Sequence, residues 1–218
     1  MPDQPNDSHT IFMPIVQGGT HKPLQQPAIY IDLRRCIGCN ACSLACKQEN
    51  NVSIGERWNE VYGIESLSSL TLDIRVMPMY CQHCNNAPCK QKCDSLGYHA
   101  IIQRPDGIVY IDPAKCVGCQ QCLSSVNIRR YTSTRRPVKW KSHLCMHRID
   151  QGLAPACVIT CLAITREFGE FTDLQALHPD AKRMGDRGRM LYGHLGEDPR
   201  TTTDRPTSSY PNPIPCHD

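Results

Sequence analysis

Two short stretches of the chain alternate apolar and polar residues into an acidic turn and then a cysteine: "AIYIDLRRC" and "GIVYIDPAKC". They match closely, Ile29-Tyr30-Ile31-Asp32 against Val109-Tyr110-Ile111-Asp112. Alternation with a period of two predicts a half-buried strand at each. A helical pattern runs through "CSLACKQEN", and a short helix is expected after each third cysteine of a run. The 34 residues between Cys46 and Cys81 hold Trp58 and the strand-like "TLDIRVMPMY", which predicts an inserted β segment. The ends read differently. Residues 1–27 are polar and proline-bearing, an extended N-terminal arm. Residues 195–218 carry five prolines and a Thr/Ser cluster, an extended C-terminal tail. The packed part is residues 28–194.

Composition changes what must hold that part together. The 218 residues include 15 cysteines but only three Phe and two Trp, and the 40% apolar fraction counts the cysteines. Without them roughly a third of the chain is apolar, against the usual ~45–50%. Burial alone then offsets chain entropy poorly, and bound metal is expected to supply the difference. The net charge of +3 counts every thiol as neutral. Thiolate-bound clusters would outweigh it, so no nucleic-acid partner is expected. No apolar run approaches the ~18 residues of a membrane span. The N-terminus lacks a basic region followed by an apolar one, and Arg34-Arg35 leads directly into cysteines and is not a twin-arginine signal. The expectation is a soluble chain without direct membrane insertion, cytoplasmic or carried to the periplasm by a signal-bearing partner.

The cysteines form four runs. The first is Cys36-x2-Cys39-x2-Cys42-x3-Cys46, and the second is Cys81-x2-Cys84-x4-Cys89-x3-Cys93. The third, Cys116-x2-Cys119-x2-Cys122, has Val126 where a fourth cysteine would fall. The last is Cys145-x11-Cys157-x3-Cys161, with Ser142 three residues ahead of it where a first cysteine would stand. Three thiolates two residues apart wrap one loop around three iron corners of a cubane. The fourth cysteine is then too far round and ligates the neighbouring cluster. Zinc would use the C-x2-C pairs but leave the third cysteine of each tight run over. Disulfides across such tight loops make no useful framework. Strand, cluster loop and short helix, repeated, is the ferredoxin plan.

The stretches "IDLRRCIGCNACSLACKQEN", "MYCQHCNNAPCKQKC", "RPDGIVYIDPAKCVGCQQC" and "CMHRIDQGLAPACVITC" together resemble the four-cluster iron–sulfur subunits of the dimethyl sulfoxide reductase family of molybdopterin oxidoreductases. The likeness covers roughly residues 28–196. It implies an α+β fold of two bacterial ferredoxin-like modules, residues 28–80 with 138–194 forming one and 81–137 the other. It also implies four ligand sets. Site I takes Cys36, Cys39, Cys42 and Cys161, and site IV takes Cys93, Cys116, Cys119 and Cys122; both are complete. Site II takes Cys81, Cys84 and Cys89, with Val126 in the fourth place. Site III takes Cys46, Cys145 and Cys157, with Ser142 in the fourth place as a possible ligand and His143 beside it. The cofactors implied are at least two [4Fe-4S] clusters and one or two [3Fe-4S] or otherwise altered clusters. The depleted sites would be the middle pair of the family's electron wire. The chain departs from the family in its Cys-Pro junctions, since Asp94 follows Cys93 and Leu162 follows Cys161, and in about three extra residues within "CDSLGYHAIIQR".

No nucleophile–base pair, phosphate loop or catalytic constellation is visible, so the chain is not expected to be an enzyme by itself. The implied function is electron transfer between a molybdopterin catalytic subunit and a redox partner, a membrane anchor subunit or cytochrome among them. A different class of reading is a structural or assembly subunit that keeps the fold with a partly lost cluster chain. Smaller expectations complete the picture. Cys216 is a tail thiol, with rescue of a depleted site, helped by His217, as the alternative. His83 and His147 are hydrogen-bond donors near sulfide. The seven Lys/Arg residues from Arg129 to Arg148, with no acid among them, form a solvated or charge-offsetting face or a docking patch for an acidic partner.

Overall fold

The computed structural model describes residues 23–68, 71–126, 141–184 and 187–194, and over 64–75 the backbone alone. Most of the arm, the tail with Cys216 and His217, and most of the basic stretch lie outside the described residues. In chain order the elements are β1 (Pro27–Asp32), α1 (Ala41–Glu49), β2 (Asn59–Ser68), β3 (Thr71–Tyr80), α2 (Pro88–Ser95), β4 (Ile101–Gln103), β5 (Val109–Ile111), a 3-10 helix (Gln121–Ser125), α3 (Met146–Ile149), α4 (Ala156–Ile159), β6 (Arg166–Glu170), α5 (Phe171–Leu177), β7 (Lys182–Arg183) and β8 (Leu191–Gly193). Mixed short helices and small sheets make the fold α+β. No described helix is long and apolar enough to cross a membrane.

The strand expected at "AIYID" is β1, but it is buried on both faces rather than one. It is an inner strand of a sheet ordered β6-β1-β8-β7. β1 runs antiparallel to β6, with Ile31 opposite Arg166, and parallel to β8, with Ile31 opposite Tyr192. Ile29 and Ile31 enter the larger core with Phe168, Met190 and Tyr192. Tyr30 meets Leu174 and Leu191 on the other face, with its ring stacked on His178 at 3.6 Å. The alternation therefore marks two different apolar environments, because α5 covers the face that a simple two-layer reading leaves wet. Sequence-distant ends are joined by this sheet, which brings the first and last cysteine runs together.

The inserted β segment is the hairpin β2–β3, registered from Asn59 opposite Tyr80 to Ser68 opposite Thr71. The second matching stretch forms β5, paired with β4 in a smaller hairpin. A separate apolar cluster gathers there: Ala87, Cys89, Cys93, Ala100, Ile101 and Val109 are among its buried residues, and Val126 packs against it half-buried. The expected helix after the third cysteine differs between runs. In the first run α1 begins one residue before Cys42; in the third only a 3-10 turn forms. Lys47 explains part of the difference. Its Nζ donates to the carbonyls of Val52, Ser53 and Glu56 at 3.2, 2.7 and 2.8 Å, where a cation also suits the helix C-terminus.

Candidate iron–sulfur sites

The four ligand loops share one backbone feature. The residue immediately before the second ligand position is left-handed in every run: Gly38 (φ 70°) before Cys39, His83 (43°) before Cys84, Gly118 (72°) before Cys119 and Leu144 (57°) before Cys145. Glycine adopts this at no steric cost, whereas histidine and leucine are strained there. A second left-handed residue follows in the two tight runs, Asn40 (60°) and Gln120 (59°). Turns of this handedness point successive N–H groups into a concavity that suits an anion. Leu144 thus repeats the left-handed turn although Ser142 stands at the loop's first position, while Cys145 itself is also left-handed (φ 52°), unlike Cys39, Cys84 and Cys119. Strain of this kind persists where the surroundings over-determine it.

The chain brings the thiols together across the runs. Cys93, Cys116, Cys119 and Cys122 line one cavity. Burial first, and then Cys89 and the three other site IV thiols, push the Cys122 thiol up to about 12. Cys46, Cys145, Cys157 and Ser142 line a second cavity with Asn50 and Asn59. Here burial raises Cys46, with Cys157 and Cys145 adding to it, and raises Cys157 to about 11 against the opposing pull of Arg166. Cys36 lies within electrostatic reach of Cys42 and Cys161, though burial is the larger cause of its raised pKa. Cys39 and Cys119 are exposed. Cys81 and Cys84 both lie within reach of the Arg189 charge, and Val126 packs on the apolar cluster that contains Cys89. All 14 described cysteines are free of disulfides.

Buried polar groups surround these cavities. Backbone N–H groups donate to sulfur from Ala100 to Cys93 at 3.3 Å, Thr165 to Cys161 at 3.4 Å and His83 to Cys81 at 3.5 Å. Asn50 Nδ2 reaches the Sγ atoms of Cys46 and Cys145 at 3.7 and 3.6 Å. Asn59 is 2% exposed, and neither its Nδ2 nor its Oδ1 has a hydrogen-bond partner. His83 is fully buried. Its Nδ1 accepts from the Val109 N–H at 3.0 Å, so the neutral ring carries its proton on Nε2, which has no partner. Burial holds its pKa well below the usual imidazole value. His143, beside Ser142, is pushed down to about 4 by burial and packs edge-on against Trp58. The orphaned donors, Asn59 Nδ2 and His83 Nε2–H, fit a cluster with acceptor sulfides better than an apolar filling.

Two expectations change. His147 Nε2 is committed to Glu49, 2.7 Å from the carboxylate, so that nitrogen is not free to donate to sulfide. Within the basic stretch, Lys141 is not solvated: it is 4% exposed and donates to the carbonyls of Val109 and Ser142. Arg148 donates to the Ala154 carbonyl and to Glu49. Arg166, Arg189, Asn50 and Asn59 stand out only in the fold. Arg166 lies five residues past Cys161 and opens β6, but nothing in its spacing announces that it is buried.

Loops of this geometry, presenting grouped thiols and inward N–H donors, define an iron–sulfur protein, and the 4Fe-4S dicluster domain family matches residues 72–171. A Halobacterium salinarum protein assigned as an iron–sulfur subunit of dimethyl sulfoxide reductase is 39% identical over 176 residues, covering 66% of each chain. The corresponding B component of tetrathionate reductase from Salmonella typhimurium is 36% identical over 154 residues, covering 69% of this chain and 60% of its own. The thiosulfate reductase electron transfer subunit PhsB of Salmonella typhi is 34% identical over 146 residues, covering 65% of this chain and 74% of its own. The chain belongs to the family of iron–sulfur subunits of the molybdopterin oxidoreductases. It spans less than two thirds of the length of the first two of these relatives.

Proposed function

We propose that this chain is the electron-transfer subunit of a molybdopterin oxidoreductase complex and holds four iron–sulfur clusters, two of them altered. The observation that carries this reading is the shared loop geometry, kept at His83 and Leu144 in spite of the strain. Cys36, Cys39, Cys42 and Cys161 would hold the cluster of site I, and Cys93, Cys116, Cys119 and Cys122 that of site IV. Cys81, Cys84 and Cys89 would hold three irons at site II, where Val126 offers no ligand atom. At site III, Cys46, Cys145 and Cys157 would be joined by the Ser142 hydroxyl, which lines the same cavity. The separate apolar clusters around β1 and around β4–β5 support two ferredoxin-like modules.

When bound, the clusters supply one-electron chemistry and the protein sets its potential. The chain's own groups do the rest. Backbone N–H donors and Asn50 spread charge from the thiolates, and His83 Nε2–H is placed as a further donor. The apolar shell around Cys89 and Cys93 keeps water away. The exposure of Cys39 and Cys119, each beside an exposed apolar residue, Ile37 at 68% and Val117 at 60%, supports sites I and IV as the ends that meet partners. One partner would be a molybdopterin catalytic subunit. The other would be a membrane anchor subunit or cytochrome, through which the complex is held at the membrane.

Iron and acid-labile sulfide per chain, with EPR of oxidised and reduced anaerobically purified protein, test the proposal. The expected count is about 14–16 irons with a three-iron signal in the oxidised state. About 8 irons and cubane signals alone would overturn it in favour of a scaffold whose middle sites are empty.

A further inference from the structure

Arg166 and Arg189 are both almost completely buried, 2% and 1% exposed, yet they are satisfied in different ways. Arg189 donates to the carbonyl oxygens of His83, Asp106 and Gly107 and so acts as a peptide staple. Arg166 has no hydrogen-bond partner at Nη1 or Nη2. Its guanidinium lies over the Tyr80 ring, 5.3 Å from the centroid. Burial works against its charge, but Cys157, Tyr80, Cys42 and Cys161 more than restore it and raise its pKa. No carboxylate is among these neighbours. The same charge acts on Cys36 and on Cys46. It therefore reaches Cys36, Cys42 and Cys161 of site I together with Cys46 and Cys157 of site III.

A buried cation without an anion is costly, so the chain is expected to supply one. Among the described residues, those that favour the Arg166 charge most are thiols of two ligand sets and a phenol. We infer that Arg166 is the shared counter-ion of the clusters at sites I and III and sets their two reduction potentials together. This rests on the reading that both sites hold clusters. Each cluster gains one negative charge on reduction, and a fixed positive charge in a low-dielectric interior favours that state. Arg166 is a positioning and tuning residue; it is not a ligand.

Arg166→Gln and Arg166→Lys, purified anaerobically as holoprotein beside the wild type, test this by EPR-monitored redox titration with parallel iron and sulfide assays. In Arg166→Gln, two of the titrating components fall to lower midpoint potentials while the rest hold. In Arg166→Lys, the same two return most of the way. If Arg166→Gln fails to load two clusters while Arg166→Lys keeps full iron, the charge requirement is equally supported. Unchanged midpoints in a fully loaded Arg166→Gln protein would overturn the inference, as would a uniform shift of all components or loss of iron from every site in both variants. A wild-type protein without iron at the depleted sites would instead sink the four-cluster reading itself, so the two failures are told apart.

Discussion

Replacing Val126 with cysteine tests whether site II is a ligand set missing one thiolate. Val126 caps the 3-10 helix in an extended conformation, φ −117° and ψ 120°, which any residue adopts without penalty. Its N–H donates to the Leu123 carbonyl at 3.4 Å, which anchors the Cβ. A cysteine sulfur would occupy one Cγ position of the half-buried valine, against the cluster containing Cys89. Exchanging two methyl groups for one sulfur in a half-buried place costs under ~1 kcal/mol of packing. The variant should therefore fold and load. The iron assay should rise by about one iron per chain, and the three-iron signal of the oxidised protein should vanish, replaced by a cubane signal on reduction. An unchanged iron count with the oxidised-state signal intact would refute the placement of Val126 at the fourth corner. A gain of about four irons would mean that the natural site is empty and that the thiol creates a cluster where none was held.

Ser142→Ala should lose about one iron per chain or change the EPR line shape of one component, while Ser142→Cys keeps the iron; wild-type iron and spectra in Ser142→Ala would remove the hydroxyl from the ligand set. Gly193→Ala should lower Tm through ~1–3 kcal/mol of overpacking, because a Cβ there would sit 2.7 Å from Tyr30 Cζ and that ring is stacked on His178 within 2° of parallel. A wild-type Tm would show that Tyr30 gives way freely. The thiols of Cys46, Cys122 and Cys157 are raised by burial, so they bind protons at neutral pH and must release them to iron. Reconstitution with iron and sulfide should release about three protons from these groups alone and strengthen as pH rises. Calorimetry in buffers of different ionisation heat would read this directly, and a pH-independent affinity would contradict it.

The ligand runs are legible because their spacing is a local property: Cys36, Cys39 and Cys42 share a loop whatever the rest of the chain does. Ser142 and Val126 can be placed by counting for the same reason, and Leu144 shares the left-handed turn found before Cys39, Cys84 and Cys119. The strand at residues 27–32 is legible as a strand but not as an inner one, since α5 and β8, which cover it, come from more than 130 residues later. The role of His147 is hidden from the sequence because its partner, Glu49, lies 98 residues away. Lys141 is hidden too, because exposure of a charged residue is the safe guess until a buried carbonyl such as that of Val109 is brought to it.

By itself, then, the sequence determined the chemistry: how many thiolate runs there are, which lack a sulfur, and what kind of metal their spacing admits. Only the tertiary structure decided which thiols meet in one cavity and which buried charges lie between them. Thiolate spacing is written in consecutive residues, whereas the field at a cluster sums over whatever the fold packs around it. Arg166 belongs to that second kind. Its position in the chain places it near Cys161, but its burial within reach of two ligand sets follows from β6 pairing with β1.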